Sequence, residues 1–204
     1  MSILLKPNIF NFWIVACPVI LSLASQSIML FVDRLFLSQY SLQAMEAATA
    51  AGTLAFAFVF SFISIASISA VLVGKYNGSK EFHKVGRAVW QTIWFALLST
   101  FFFLPLGFFS QSYLLSDAIT NNVGNYYKWL LLAAPIWIAT AGISGFFVGI
   151  GQAKLVTYVS IFSNLSNIVL DYIFIFGVSE YIYPLGIDGA ILATILGQCI
   201  QLIC

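Results

Sequence analysis

Six long apolar runs organise this chain, each near or above the ~20 residues that a helix needs to cross a bilayer. They extend from about Phe10 to Leu37, Ala47 to Val73, Ala88 to Phe109, Tyr126 to Ile150, Leu155 to Val178 and Ile187 to Cys204. The last is the shortest, about 27 Å as a helix rising 1.5 Å per residue. A membrane barrel would instead show ten-residue segments of alternating polarity, whereas these runs are continuous. Only 7% of the 204 residues are charged, against about 25% in a soluble domain. Mean hydropathy is +1.01. A hydrated surface cannot be built from such a chain, so the expected fold is an all-α, six-span membrane bundle.

Its orientation follows from the basic residues. Lys75, Lys80, Lys84 and Arg87 lie between the second and third runs, Lys154 lies between the fourth and fifth, and Lys6 precedes the first. The alternate connections, Ser38 to Glu46, Ser110 to Asn125 and Ser179 to Asp188, hold no Lys or Arg. The positive-inside rule then places both termini in the cytoplasm of a multi-pass cell (inner) membrane protein. His83, within the basic loop, reads as a solvated surface residue. Trp13, Trp90, Trp94 and Trp129 fit an interfacial belt.

Composition also removes function classes. A net charge of +1 leaves no basic face for nucleic acid. The sole histidine lies in a loop, and there is no Ser/His/Asp arrangement, His-Glu-x-x-His or phosphate-binding loop, so an enzyme is not expected. Cys17, Cys199 and Cys204 stand at no metal-ligand spacing and read as buried free thiols. Glu46, Glu81, Asp117, Glu180 and Asp188 read as solvated carboxylates at segment ends. Small residues spaced by four, at Ala141, Gly145 and Gly149 and at Gly189, Ala193 and Gly197, predict close helix approach. Ser61, Ser64 and Ser67 read as packing residues, and Pro18 and Pro135 as kinks inside the first and fourth spans.

Against this background one stretch is anomalous. Asn164, Asn167 and Asp171 are spaced i, i+3, i+7, and Ser160 and Thr157 continue the same helical face backwards. A carboxylate in hydrocarbon costs roughly 2.5 kcal/mol or more, so Asp171 must face a protein interior or a water-filled cavity. Asp33 lies five residues from the outer end of the first span, Asp171 seven from that of the fifth, and Thr194 seven into the sixth. Those offsets correspond to about 7, 10 and 10 Å of depth from one membrane face. Ser22, Gln26, Met29 and Asp33 share a face of the first span, as do Thr194, Gln198 and Gln201 on the sixth. Arg34 adjoins Asp33, but neighbours i and i+1 do not face each other on a helix, so it reads as a poor partner. Two carboxylates with an amide and a hydroxyl supply the hard oxygen ligands of a small cation.

These residues resemble a known family, the multidrug and toxic compound extrusion (MATE) transporters, and specifically the N-terminal lobe of the DinF-like branch with an aspartate on the fifth helix. The resemblance is carried by Pro18, Gln26 and Val32-Asp33; by Gly-Lys-Tyr-Asn-Gly-Ser-Lys-Glu-Phe-His-Lys-Val-Gly from Gly74 to Gly86; by Asn167-Ile-Val-Leu-Asp171 through Gly177; and by Gly186-Ile-Asp-Gly-Ala-Ile-Leu-Ala-Thr194. It implies a cation site, for Na⁺ or H⁺, at Asp33, Asn167, Asp171 and Thr194, with Gln26 lining the same cavity; Met29, Asn164 and Gln198 are further lining residues. It also implies antiport, the inward movement of the cation driving export of a small organic, often cationic, compound, with no cofactor beyond the coupling ion. The family has twelve helices in two six-helix lobes. Residues 1–204 therefore correspond to one lobe, with the C-lobe absent from this chain and supplied, if at all, by a longer parent or a second copy. Two alternatives stand beside this reading. One is a flippase for lipid-linked oligosaccharides, which would need more basic groups than Arg34 and Lys128 to meet pyrophosphate. The other is a non-transporting remnant or assembly partner whose polar stripes serve only helix packing.

Overall fold

The structure is a computed structural model and describes residues 9–113, 121–178 and 183–204. Lys6, Asp117 and Glu180 lie outside the described residues. Among the described residues seven helices follow in order: α1 (Ile9–Tyr40), α2 (Leu42–Ala66), α3 (Ile68–Gly78), α4 (Phe82–Tyr113), α5 (Asn121–Gly149), α6 (Ala153–Phe176) and α7 (Ile187–Ile203). By length and composition five spans among the described residues can cross a membrane, with α2 and α3 counted as one, and α7 is a shorter apolar helix. The chain is a helical membrane bundle.

The second sequence segment runs longer than expected and is interrupted at Ser67. Ser64 and Ser67 donate their hydroxyls to the carbonyls of Phe60 and Ile63, four residues back, each at 2.8 Å. This back-bonding competes with the helical ladder and bends helices. Both side chains are exposed, so these serines do not pack between helices as the sequence suggested. Pro18 and Pro135 lie inside α1 and α5, and Pro105 lies inside α4.

The bundle forms two groups. In one, α5 packs against α2, α3 and α4; in the other, α6 packs against α1 and α7. Small residues allow the first group to close. Ala44, Ala47, Ala48, Ala51 and Ala55 make a buried stripe on α2. A Cβ on Gly145 would lie 1.9 Å from Ser69 Oγ, and one on Gly149 would lie 2.7 Å from Val73 Cβ, so α3 and α5 touch where only glycine fits. Ser69 donates to the Gly142 carbonyl at 2.9 Å across that contact. The α6–α7 contact repeats the device: a Cβ on Gly189 would come within 2.5 Å of the Phe174 carbonyl oxygen.

The ends of α1, α6 and α7 are tied together at one end of the bundle. Phe36 meets Tyr172 and Phe176 edge-on, each at 5.9 Å between ring centres. Leu185 and Gly186 donate backbone N–H groups to Phe174 and Ile175 carbonyls at 2.9 and 3.3 Å. Gly186 has φ +58, and the Tyr40 ring would lie 2.5 Å from any Cβ there, so this turn requires glycine twice over. The basic residues around the α3–α4 connection lie at the opposite end, where Lys84 pairs with Glu81 and its hydrogen bond holds the Glu81 carboxyl below the usual range.

The outside is apolar all round, with Phe31, Val71, Phe101, Tyr158, Leu165 and Val169 exposed, as lipid contact requires. Cys17 and Cys204 are exposed and Cys199 is half-buried. The expectation of buried thiols is thereby corrected: against lipid, an apolar segment carries no bias toward the protein interior.

Candidate functional site

Between the two helix groups lies a cavity of about 260 Å³. Of the eight residues singled out from sequence, seven line it: Gln26, Met29, Asp33, Asn164, Asn167, Thr194 and Gln198. Asp171 does not. It is fully buried behind the cavity wall, 0% exposed, on the same α6 face as Asn167. Because α1 continues to Tyr40 and α6 stops at Phe176, Asp33, Asp171 and Thr194 stand about 10, 8 and 10 Å from their helix ends. Asp33 is thus deeper, and Asp171 shallower, than the sequence suggested.

The polar face of α6 divides in two. Toward its N-terminal half each polar side chain of that face makes a hydrogen bond to a neighbouring helix. Thr157 donates to the Pro18 carbonyl at 2.9 Å, Ser163 to the Gly197 carbonyl at 2.5 Å, and the Asn164 amide to Ser25 Oγ at 2.8 Å. Ser160 Oγ accepts from the Gln201 amide at 3.0 Å. Further along, pairing ceases. Neither amide atom of Asn167 and neither oxygen of Asp171 has a hydrogen-bond partner among the described residues, and Asp33 Oδ1 is equally unpaired. Buried polar groups are nearly always satisfied, and each exception costs roughly 1–3 kcal/mol, more for a charge. Five unpaired atoms on three neighbouring side chains form a pre-built set of donors and acceptors.

Thr194 completes the set in a specific sense. Its hydroxyl donates to the Ala190 carbonyl at 2.8 Å. With its proton so engaged, Oγ1 offers the cavity only lone pairs. Carboxylate, amide and hydroxyl oxygens are the ligands of hard cations, so the unpaired oxygens of Asp33, Asn167 and Asp171, though not the Asn167 amide nitrogen, fit the coupling ion that the resemblance implies. Asn167 is backed by Gly197, whose missing side chain would otherwise come within 2.9 Å of the asparagine Cβ.

Sequence reasoning missed several members. Arg34, set aside as a poor partner, lines the cavity and places Nη1 3.4 Å from Asp33 Oδ2. The guanidinium wraps past the divergence of adjacent Cβ atoms because its stem is long. It lies against Gly52 of α2, where a Cβ would stand 3.2 Å from Nη2. Tyr126 of α5, 2% exposed, sits within electrostatic reach of Asp33, Arg34 and Asp171. Ser25, the partner of Asn164, stands i+3 from Ser22 and i−4 from Met29, so the face traced on the first span could have included it. Arg34 and Tyr126 are revealed only by the tertiary arrangement.

A sequence profile of the MatE family matches residues 18–173. The chain is 27% identical over 168 residues to a probable multidrug resistance protein NorM of Neisseria meningitidis, covering 79% of this chain and 36% of that protein. It is 27% identical over 198 residues to the probable multidrug resistance protein YoeA of Bacillus subtilis, covering 94% and 42%. A MOP superfamily transporter from Pyrococcus furiosus superimposes with a TM-score of 0.77 at 18% identity, over 93% of this chain and 42% of that one. A multidrug resistance MATE family transporter in an outward-facing conformation gives 0.75 at 17% identity, with the same coverage. The chain thus spans less than half the length of these relatives. With its helical bundle and its profile match over most of the sequence, the chain belongs to the MatE family and corresponds to its N-terminal half.

Proposed function

We propose that this chain is the cation-binding N-lobe of a secondary exporter, in which Na⁺ or H⁺ moving inward drives an organic, often cationic, compound outward. Asp33 and Asp171 take the coupling ion, Asn167 and Thr194 complete its shell, and Gln26, Met29, Asn164 and Gln198 line the approach. The observation that carries this reading is the cluster of unpaired buried atoms on Asp33, Asn167 and Asp171. A site satisfied within the protein would gain little from an ion. In the assembled transporter, a second lobe from a longer parent or a second copy would supply the rest of the substrate path. Cation binding would bias the packing of α1 against α6 between two arrangements. The basic end faces the cytoplasm of the cell membrane in this reading, by the positive-inside rule.

Isothermal calorimetry on the purified, folded chain tests the proposal, with NaCl set against KCl and with proton uptake followed in parallel. Wild type is expected to show a sodium-specific heat, or proton uptake without one, and Asp171→Asn to abolish whichever occurs. Identical responses from wild type and Asp171→Asn would refute the assignment and favour a packing role for the stripe.

A further inference from the structure

Arg34 is the charged cavity residue that the proposed cation site leaves unused. Its side chain is 26% exposed and that of Asp33 is 5% exposed, with 3.4 Å between Nη1 and Oδ2. This is longer than the roughly 2.7–2.9 Å of a tight charge-assisted hydrogen bond, so the two groups compensate each other's charge without locking together. Asp33 Oδ1 stays unpaired, and Asp33 can still lend one oxygen to an ion. Among the described residues neither oxygen of Asp171 has a hydrogen-bond partner, and the Arg34 guanidinium pairs with Asp33 rather than with it. The site therefore holds two carboxylates and one guanidinium, and an arginine does not give up its proton in a protein.

We propose that Arg34 is a built-in counter-cation for Asp33, leaving Asp171 as the one uncompensated charge and limiting the site to a single monovalent cation. The inference rests on the cation-site reading above and extends it to selectivity. With all three groups charged, the site carries one net negative charge, which a monovalent ion brings to zero. A divalent ion would leave a net positive charge in a low-dielectric interior, where an unpaired charge is strongly disfavoured. Gly52 is part of the device, since its bare backbone lets the guanidinium lie along α2 beside Asp33.

The test is calorimetry with NaCl and with CaCl₂ on the full purified chain at one fixed pH, comparing wild type, Arg34→Gln, Arg34→Lys, Asp33→Asn and Asp33→Asn/Arg34→Gln. Wild type and Arg34→Lys are expected to bind Na⁺ and to take Ca²⁺ poorly. Arg34→Gln is expected to bind Ca²⁺ about tenfold or more tightly than wild type, the scale set by removing one nearby unit charge. Asp33→Asn, left with Arg34 facing Asp171, is expected to lose Na⁺ binding, and the double variant, again at one net negative charge, to regain it. Should Arg34→Gln misfold, the Asp33→Asn pair decides the matter alone. Sodium binding in wild type together with unchanged Ca²⁺ affinity in Arg34→Gln, or no rescue in the double variant, would overturn the role of Arg34 while sparing the cation site. No Na⁺ or Ca²⁺ binding in any variant would overturn the role of Arg34, and absence of proton uptake as well would overturn the cation site with it.

Discussion

The two halves of the α6 polar face differ in one respect that separates architecture from chemistry. Thr157, Ser160, Ser163 and Asn164 are as well placed on the helix as Asn167 and Asp171, and all but Ser163 read from the sequence as a single stripe. In the structure the first four are bonded to α1 or α7, whereas the last two are buried and unpaired. A bonded stripe is a clasp between helices. An unpaired one keeps its bonding capacity for something that arrives. Burial alone does not distinguish the halves, since Ser163 is 3% exposed and Asn167 is 2% exposed.

Substitutions that exchange the behaviours of the two halves break or sharpen this comparison. The largest effect is expected from Asp171→Asn: cation affinity falls by about a hundredfold or more, as expected when a charged ligand is lost (about 2.7 kcal/mol), and the bundle becomes more stable. Relief of an unpaired buried carboxylate is worth about 1–3 kcal/mol, and gains of this kind at the expense of function are common at binding sites. Melting curves with and without Na⁺ read both effects. Next comes Gly197→Leu, which drives a side chain into Asn167. Overpacking of this sort costs about 1–3 kcal/mol, and binding should weaken because Asn167 must move; melting temperature and calorimetry together show it. Ser163→Ala and Asn164→Ala test the clasp. Each is expected to destabilise by about 0.6 kcal/mol, the mean for interhelical hydrogen bonds in membranes, with cation affinity nearly unchanged in a binding titration.

The smallest effect is expected at the basic end. Glu81→Gln removes an exposed pair with Lys84, and exposed pairs contribute little. Because hydrogen bonding to Lys84 lowers the Glu81 pKa, whatever stability the pair gives is present at neutral pH. It is lost as pH falls through that lowered value. Wild type and Glu81→Gln should therefore have indistinguishable melting temperatures, and any gap between them should close in acid.

Much of this was legible in the sequence because membranes punish misplaced polarity. The apolar runs could only be spanning helices, and the spacing of Asn164, Asn167 and Asp171 fixed a common face. Depth counting placed Asp33 and Thr194 near that face, and both do line the cavity beside Asn167. Asp171, read as a cavity residue, shares the α6 face of Asn167 but is fully buried and does not line the cavity, one turn beyond the last α6 residue that does. Arg34 was illegible for a different reason. The rule that i and i+1 diverge holds for Cβ atoms, whereas a guanidinium several bonds away can turn back if a neighbouring helix leaves room, and that room comes from Gly52 on α2. The thiols show a third limit. Lipid is as apolar as a protein core, so hydrophobicity cannot tell whether Cys17 faces inward or outward. The bonded and unbonded halves of α6 were inseparable for the same kind of reason, since pairing depends on what α1 and α7 bring opposite each position.

The most direct test of the difference between the two halves is the cation dependence of thermal stability in wild type, Asp171→Asn and Asn164→Ala. A bound ion stabilises the folded state in proportion to the logarithm of its concentration over Kd. Wild type should melt higher as NaCl replaces KCl or, for a proton-coupled site, show a pH dependence that Asp171→Asn lacks. Asn164→Ala should melt lower than wild type yet keep the full cation response, and Asp171→Asn should melt higher with none. A cation response that survives in Asp171→Asn but disappears in Asn164→Ala would contradict the account and place the functional half of the stripe at the other end of α6.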